Sequence, residues 1–467
     1  MRYYIFPLIF LVISCTNKKE FPNIILIVVD DLGWADLECY GSEFYETPNV
    51  DKLASKGIRF THAYAASPVC SPTRAALMTG KHPATLNITD WIPGRQSHQG
   101  VKNYQKFIVP PFRWELPLEE VTIAEKLKEL GYATAHIGKW HLGKDGYLPQ
   151  DQGFDINIGG AHIGQPGSYF YPFKNHRLTH VVNGLDDISN EGDYLTDRLT
   201  DKALQFITDH ESVPFFLYLP YYTVHTPIQG KEDLTEKYRQ KLNKMKSSRQ
   251  VYPEYAAMVH SMDENVGRIL EKIGKSGLEE KTIIIFTSDN GGLAIPRGDH
   301  TWPTNCRPLR EGKGFLYEGG VRIPAIIRWP GVIQGGTESD FRFSSIDIFP
   351  TIMEILGLEK GEAEGISLLP LITNGETPDR NTLYWHFPHY HLSMPASSII
   401  KDDFKLIEYL EDNKFELYDL GSDPSETNDI SYDMPGKVTE LYKDLNHWRE
   451  KVKAQMPIPN QDYVQTQ

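Results

Sequence analysis

Residues 23–31 read NIILIVVDD. Six aliphatic side chains in a row, Ile24 to Val29, leave no polar position in the period-2 alternation of a strand, so both faces of that strand must be covered. The run stops at two carboxylates, Asp30 and Asp31. Similar runs recur at 133–137, 215–219, 282–287 and 324–328, and helical apolar spacing lies between them at 48–56, 121–130, 194–209, 255–273 and 347–356. Strands alternating with helices predict an α/β fold, a sheet with helices on both faces. In such sheets ligands collect beyond the carboxyl ends of the strands, which is where Asp30 and Asp31 stand.

The pattern changes past Gly375. Short strands are expected at 383–387, 398–401, 404–408 and 415–419, separated by turn residues such as Lys401-Asp402-Asp403 and Asp412-Asn413, and followed by an amphipathic helix at 438–453. The expected organisation is a secretion signal at 1–14, a tether at 15–22, a catalytic domain at 23–372 and a smaller antiparallel sheet-plus-helix subdomain at 373–467. Residues 81–115 and 230–252 read as long polar connections, the Lys-rich run of the second as a solvated face.

Composition bounds the partners. With 467 residues, 40% hydrophobic and 24% charged, the chain suits a globular protein with a large core. A net charge of −14 with no basic stripe excludes nucleic acid, and an anionic substrate would need a locally cationic pocket. The N-terminal MRYYIFPLIFLVISC carries one basic residue and an apolar run too short to span a bilayer, as an export signal does. Its ending, Val12-Ile13-Ser14-Cys15, resembles the bacterial lipobox. That resemblance implies lipid on Cys15 and an outer-membrane lipoprotein on the periplasmic or cell-surface side.

Exported cysteines usually pair, yet with Cys15 assigned to lipid an odd number remains: Cys39, Cys70 and Cys306. The sequence does not say whether Cys39 and Cys306 pair. Cys70 sits in SPVCSPTRAALMTG, residues 67–80, between two Ser-Pro dipeptides that read as turns and four residues before Arg74.

Polar clusters follow the expected strands: Asp30-Asp31, then Lys139 and His141 after 133–137, His225 after 215–219, and Asp289-Asn290 after 282–287. Each has an ordinary structural reading on its own, as a cap, a turn or a buried histidine. Together they place carboxylates, an amide, histidines and a lysine at one edge of one sheet. Three Asp and one Asn form an all-oxygen set suited to a hard cation such as Ca²⁺ or Mg²⁺. Lys139, His141, His225, Arg74 and Lys313 add the cationic donors that a tetrahedral oxyanion, sulfate or phosphate, requires.

The segment CSPTRAALMTG resembles the sulfatase signature Cys-x-Pro-x-Arg-x-x-Leu-x-Thr-Gly at Cys70, Pro72, Arg74, Leu77, Thr79 and Gly80, with Lys81 where the family often has Arg. The order DD, CxPxR, GKWHLG, His225, SDNGG and GKG…YEGGVRIP carries the resemblance over about residues 23–430. It implies a formylglycine-dependent sulfatase with an alkaline-phosphatase-like mixed sheet sandwiched by helices. It further implies that a separate maturation enzyme converts Cys70 to Cα-formylglycine, and that Asp30, Asp31, Asp289, Asn290 and residue 70 hold Ca²⁺. The hydrated aldehyde would attack sulfur and later eliminate sulfate. His225 and Lys313 would assist the leaving alcohol, Asp289 and His141 would take protons, and Arg74 and Lys139 would orient the hydrate and the sulfate.

Relatives with a lipid anchor suggest a sulfated polysaccharide or its oligosaccharides as substrate, whether ulvan, carrageenan or another algal glycan, or a glycosaminoglycan. Candidate substrate-reading segments are 91–98, 162–180, 299–310 and 386–391, with His300 and His386 the preferred contacts because both adjoin motif segments. The other readings are a phosphonate or phosphate ester hydrolase of the same superfamily, and an inactive glycan-binding lipoprotein.

Overall fold

The structure is a computed structural model that describes residues 21–94, 96, 101–246, 251–294 and 303–464. The expected signal, Cys15 and His300 lie outside the described residues. No helix among those described is long and apolar enough to cross a membrane. The strands in chain order are β1 (Asn23–Val29), β2 (Ile58–Tyr64), β3 (Phe107–Ile108), β4 (Ala133–Ile137), β5 (Ile156–Ile158), β6 (Phe215–Tyr221), β7 (Thr282–Ser288) and β8 (Arg322–Arg328). They continue as β9 (Thr337–Ser339), β10 (Phe343–Ser344), β11 (Thr382–Phe387), β12 (Ala396–Lys401), β13 (Phe404–Tyr409), β14 (Lys414–Asp419) and β15 (Ile458–Pro459).

A nine-stranded mixed sheet runs β10-β2-β8-β7-β1-β6-β4-β5, with β9 alongside β2. Its centre, β7-β1-β6-β4, is parallel, and β8 is antiparallel to both its neighbours. In β1 the alternation divides two cores. Ile25, Ile27 and Val29 pack toward the helices Leu195–Asp209 and Pro253–Lys275, while Ile24, Leu26 and Val28 pack toward Cys70–Thr79, Ile123–Glu129 and Ile348–Leu356. That is the two-sided burial which the unbroken aliphatic run demands.

The second sheet is an antiparallel meander, β11-β12-β13-β14. Here too neighbouring residues part: Ile399, Leu406 and Leu417 meet Leu441, Leu445 and Trp448 of the helix Pro435–Lys451. Ile400, Ile407 and Tyr418 face Tyr64, Val69 and Tyr317 of the larger unit. The Trp385 indole N–H donates to the Ala65 carbonyl at 2.8 Å. The small sheet thus backs the segment that leads into Cys70.

Two expectations differ. Residues 230–252, read as a polar connection, contain the helix Glu232–Lys244, which buries Leu234 and Tyr238 one turn apart and is charged elsewhere. The Ser-Pro dipeptides around Cys70 do not both make turns, because a helix begins at Cys70 itself. Pro72 lies in the first helical turn, where a missing N–H costs nothing.

Candidate active site

Four parallel strands end side by side, and register carries their polar followers to one place. Val29 pairs with both Ser288 and Tyr221, so Asp30-Asp31 and Asp289-Asn290 emerge next to each other. The backbone N–H of Asp31 donates to Asp289 Oδ1 at 3.2 Å. Gly138 and Lys139 leave β4 beside β6, where the Lys139 N–H is held by the Pro220 carbonyl at 2.7 Å. Asp31 and His141 both have φ 62°, a left-handed conformation that costs a non-glycine residue on the order of 1 kcal/mol. The glycines of SDNGG and YEGG meet backbone to backbone: the Gly291 N–H donates to Gly320 O, and a Cβ on Gly291 would lie 1.9 Å from Gly319 O.

Cys70 opens a helix whose ten residues are all buried, and its thiol lies 3.4 Å from His141 Nδ1. Arg74, one turn on, has no exposure. Its Nε donates to Asp289 Oδ2 at 2.8 Å and its Nη1 to the Lys139 carbonyl at 2.8 Å. Lys139 Nζ pairs with Asp30 Oδ2 at 2.7 Å, and Lys313 Nζ pairs with Asp31 Oδ1 at 2.7 Å. His225 Nε2 stands 3.5 Å from Asp31 Oδ2.

Burial pushes the Asp30 carboxyl well above its ordinary value, with Asp289 and Asp31 adding to the rise and Lys139 opposing it. Burial acts the same way on Asp31 and Asp289, but Lys313 and His225 pull the first well down and Arg74 and Lys139 pull down the second. The Cys70 thiol is raised by burial, so the unmodified side chain is a poor nucleophile. Burial, then neighbouring lysines, depress both histidines, His225 to about 3.

Three buried acceptors, Asp30 Oδ1, Asp31 Oδ2 and Asn290 Oδ1, find no hydrogen-bond donor among the described residues. Oxygens of Asp30 and Asp289 lie within 4.8 Å of each other and of the Cys70 sulfur. Buried orphan acceptors are costly, and an oxygen-only set of this kind fits a hard divalent cation. The Asn290 amide nitrogen donates to Asp31 Oδ1 and to Gly291 O.

A cavity of about 490 Å3 lies over this cluster. Cys70, His141, His225 and Lys313 line it, and Trp91, His162, His180 and His391 also face it. Arg74 and Lys139 do not line it, and neither do Asp289 and Asp30, which they hold. The structure therefore brings together Asp30, Asp31, Cys70, Arg74, Lys139, His141, His225, Asp289, Asn290 and Lys313. His386 is a correction. It lies outside the cavity, with Nδ1 on Ser397 Oγ at 2.8 Å and Nε2 on the Gln455 carbonyl at 2.9 Å. In β11 it alternates with Trp385 and Phe387, which face the larger unit, so it points the other way. His391, beyond the end of that strand, reaches the cavity instead. Sequence reasoning also missed the Ile92 carbonyl, which takes His141 Nε2; a backbone acceptor leaves no signal in the side-chain order.

A buried helix-opening residue set beside an oxygen-rich cluster and three side-chain cations, all at parallel strand ends, defines an ester hydrolase for tetrahedral oxyanions of the alkaline-phosphatase-like fold. The comparisons give the family. The family model for sulfatases matches residues 22–358, and that for the N-sulphoglucosamine sulphohydrolase C-terminal region matches 311–455. A sulfatase of Formosa agariphila is 32% identical, with 97% of this chain and 96% of the relative covered. Among solved structures, Ps i-CgsB in complex with k-i-k-neocarrahexaose superposes with a TM-score of 0.75 at 29% identity, covering 95% of this chain and 94% of that one. BT4656 in complex with its substrate D-glucosamine-2-N,6-O-disulfate superposes with a TM-score of 0.70 at 26% identity, covering 94% and 99%. The chain belongs to the sulfatase family and is a sulfuric ester hydrolase. Members of that family typically use a formylglycine and a metal ion.

Proposed function

We propose that this protein hydrolyses sulfate esters on sugars of a sulfated polysaccharide or its oligosaccharides, with residue 70 acting as formylglycine. The observation that carries the reading is the convergence of Cys70, Lys313 and two histidines on one cavity, with oxygens of Asp30 and Asp289 beside the Cys70 sulfur. The carbohydrate class is supported by the ligands of the two structural neighbours, a carrageenan hexaose and a disulfated glucosamine. Within that class the glycan is an algal polysaccharide such as ulvan or carrageenan, or a glycosaminoglycan. The lipobox-like Val12–Cys15 supports an outer-membrane lipoprotein, and the CxPxR segment supports a maturation enzyme as partner. Residues 23–372 form the catalytic domain in this reading and 373–467 the subdomain behind it.

As a hydrated aldehyde, residue 70 would supply an oxygen nucleophile with a second hydroxyl on the same carbon, which lets the enzyme release sulfate without a further water. Ca²⁺ held by Asp30, Asp31, Asp289, Asn290 and residue 70 would supply positive charge for the sulfate oxygens. Three carboxylates, with burial favouring the neutral form at Asp30, face the cations Arg74, Lys139 and Lys313 there, and a divalent ion would add to the attraction for an anion.

The chain's own groups divide the remaining work. His141 gives its Nε2 to the Ile92 carbonyl, so that nitrogen must carry the proton, and Nδ1 presents a lone pair to residue 70. This tautomer suits a base at residue 70. His225 and Lys313 face the cavity; Lys313 can donate to the ester oxygens, and His225, whose Nδ1 is held by the Thr226 carbonyl, would donate to the departing alcohol from Nε2 once that nitrogen is protonated. Asp289, oriented by the Asp31 N–H and by Arg74, is the second base. Arg74 and Lys139 hold the carboxylates of Asp289 and Asp30, and would orient the hydrate and the sulfate.

Sulfate release from sulfated oligosaccharides tests this. Cys70→Ala is expected to abolish turnover while the unfolding transition stays cooperative; activity retained in that variant refutes residue 70 as nucleophile.

A further inference from the structure

A second cavity, of about 570 Å3, adjoins the one over Cys70, and the two share His162, Ile163 and Thr179. Its size alone falls in the range of complete small-molecule sites, about 300–1,000 Å3. The wall between the cavities is built from two braced segments. In the first, the loop after β5, Asn157 Oδ1 accepts from the Gly160 N–H and Asn157 Nδ2 donates to the Gly160 carbonyl, both at 3.1 Å. The same loop presses on the catalytic histidine: a Cβ on Gly164 would lie 2.6 Å from His141 Cε1. The second segment is the turn 174–181, closed by an antiparallel bridge between Lys174 and Val181. There the Asn175 side chain holds the Thr179 N–H at 3.0 Å and the Thr179 hydroxyl at 2.8 Å. The shared wall is therefore fixed with respect to the reacting centre.

The two cavities differ in charge. Lys313 and five histidines face the first, and no carboxylate lines it among the described residues. In the second, among the described residues, Asp145 is the one carboxylate and no lysine or arginine lines the wall. The rest is the amides of Asn157 and Asn183, the backbone of Gly159, Gly160 and Gly184, the last of them exposed, and short aliphatic groups. Lys144 and Arg177, chain neighbours of lining residues, do not line it. A sulfate or uronate placed there would meet Asp145 and gain no cation. An uncharged sugar would find hydroxyl partners in the exposed Asn183 amide and Gly184 backbone, the Asn157 amide being held by Gly160.

We propose that the second cavity is a subsite for the sugar next to the sulfated one, and that it takes an uncharged sugar. The substrate is then an oligosaccharide of at least two units whose sulfate lies over residue 70 and whose neighbouring ring in the second cavity carries neither sulfate nor carboxylate. This rests on the reading of the protein as a carbohydrate sulfatase.

The test uses the full chain with residue 70 converted. The probes are monosulfated galactose, N-acetylgalactosamine and glucosamine, each offered free, linked to an unsulfated galactose, and linked to a sulfated galactose. For the sugar that is turned over, kcat/KM is expected to rise about tenfold from the free sugar to the neutral disaccharide, equivalent to about 1.4 kcal/mol, and to fall again when the neighbour is sulfated. Asn183→Trp, which fills the cavity, should bring the ratio of disaccharide to free sugar toward one. Asp145→Arg should shift preference toward the sulfated neighbour. Equal kcat/KM for free sugar and disaccharide, or an unchanged ratio in Asn183→Trp, overturns the subsite. A wild-type preference for the sulfated neighbour overturns its neutral character. No sulfate release from any probe sinks the carbohydrate-sulfatase reading itself, and the subsite with it.

Discussion

Arg74 shows best how one residue's surroundings decide its work. The signature fixes an arginine four residues past Cys70, and chemistry alone would aim it at the sulfate. The structure instead spends its planar fork on Asp289 and on the Lys139 carbonyl, tying the ends of β7 and β4 to the helix that carries residue 70. A lysine would keep the charge but cannot make that two-sided contact. Arg74→Lys is therefore expected to lower kcat on the order of 10²-fold, as small misplacements of reacting groups do, with KM little changed. A KM rise with kcat intact would show that Arg74 binds substrate directly. His386 teaches the complementary lesson: its nearness to a motif was visible in the sequence, but which face of β11 it takes was set by where Trp385 and Phe387 found their core.

Among elements, those buried on both sides were the most legible. β1, β6, β7 and β8 announce themselves by apolar runs buried on both faces, and β4 by its position between helical patterns, since Thr134 and His136 occupy one of its faces. β2 does not, since Arg59, Thr61 and His62 break its pattern and only part of it is buried. The helix Glu232–Lys244 hid for a similar reason: a narrow apolar stripe inside a strongly charged segment. The site residues were legible through their order along strand ends, but the cavity walls were not, because loops such as 159–164 and 174–181 are placed by hydrogen bonds that no periodicity encodes.

The element carrying Lys313 also owes its place to the small sheet. Lys405 of β13, fully buried, pairs with Glu318 at 3.0 Å and with Glu426 at 2.9 Å, and Glu426 accepts the Glu318 backbone N–H at 2.7 Å. Lys405→Met leaves the buried Glu426 without its cation and Glu318 with Arg322 alone, 3.6 Å away. It is expected to cost about 3–5 kcal/mol in chemical denaturation, part of which returns when Glu426→Gln is added. No loss of stability in the single variant contradicts the triad as a clamp.

On the scale of the whole molecule, buried neutral histidines set one arm of the pH dependence of stability. His136, without exposure and ringed by Trp140, Phe154 and Tyr218, is pushed by burial to about 3, and His386 to about 4. Their unfolded value is about 6.5. Above that pH neither state is protonated and folding keeps its full stability. Below it the unfolded chain takes up protons that the folded chain refuses, so stability falls as pH drops from about 6.5 toward 4. Asp263, raised by burial to about 6, works in the opposite sense, so the contrast between proteins is the readout. Urea unfolding at pH 7 and pH 5 should show a dependence shallower by about one proton in His136→Asn; equal slopes would contradict a neutral buried His136.

The whole fold converges on residue 70: the central sheet supplies the oxygen cluster, the buried helix supplies the position, and the small sheet supports the segment leading into it. The most direct test is the mass of the proteolytic peptide spanning residue 70, measured on protein whose sulfate-releasing activity has been titrated. Active protein is expected to carry the aldehyde at residue 70 in proportion to its active fraction. A fully active preparation whose peptide retains the cysteine thiol would contradict it.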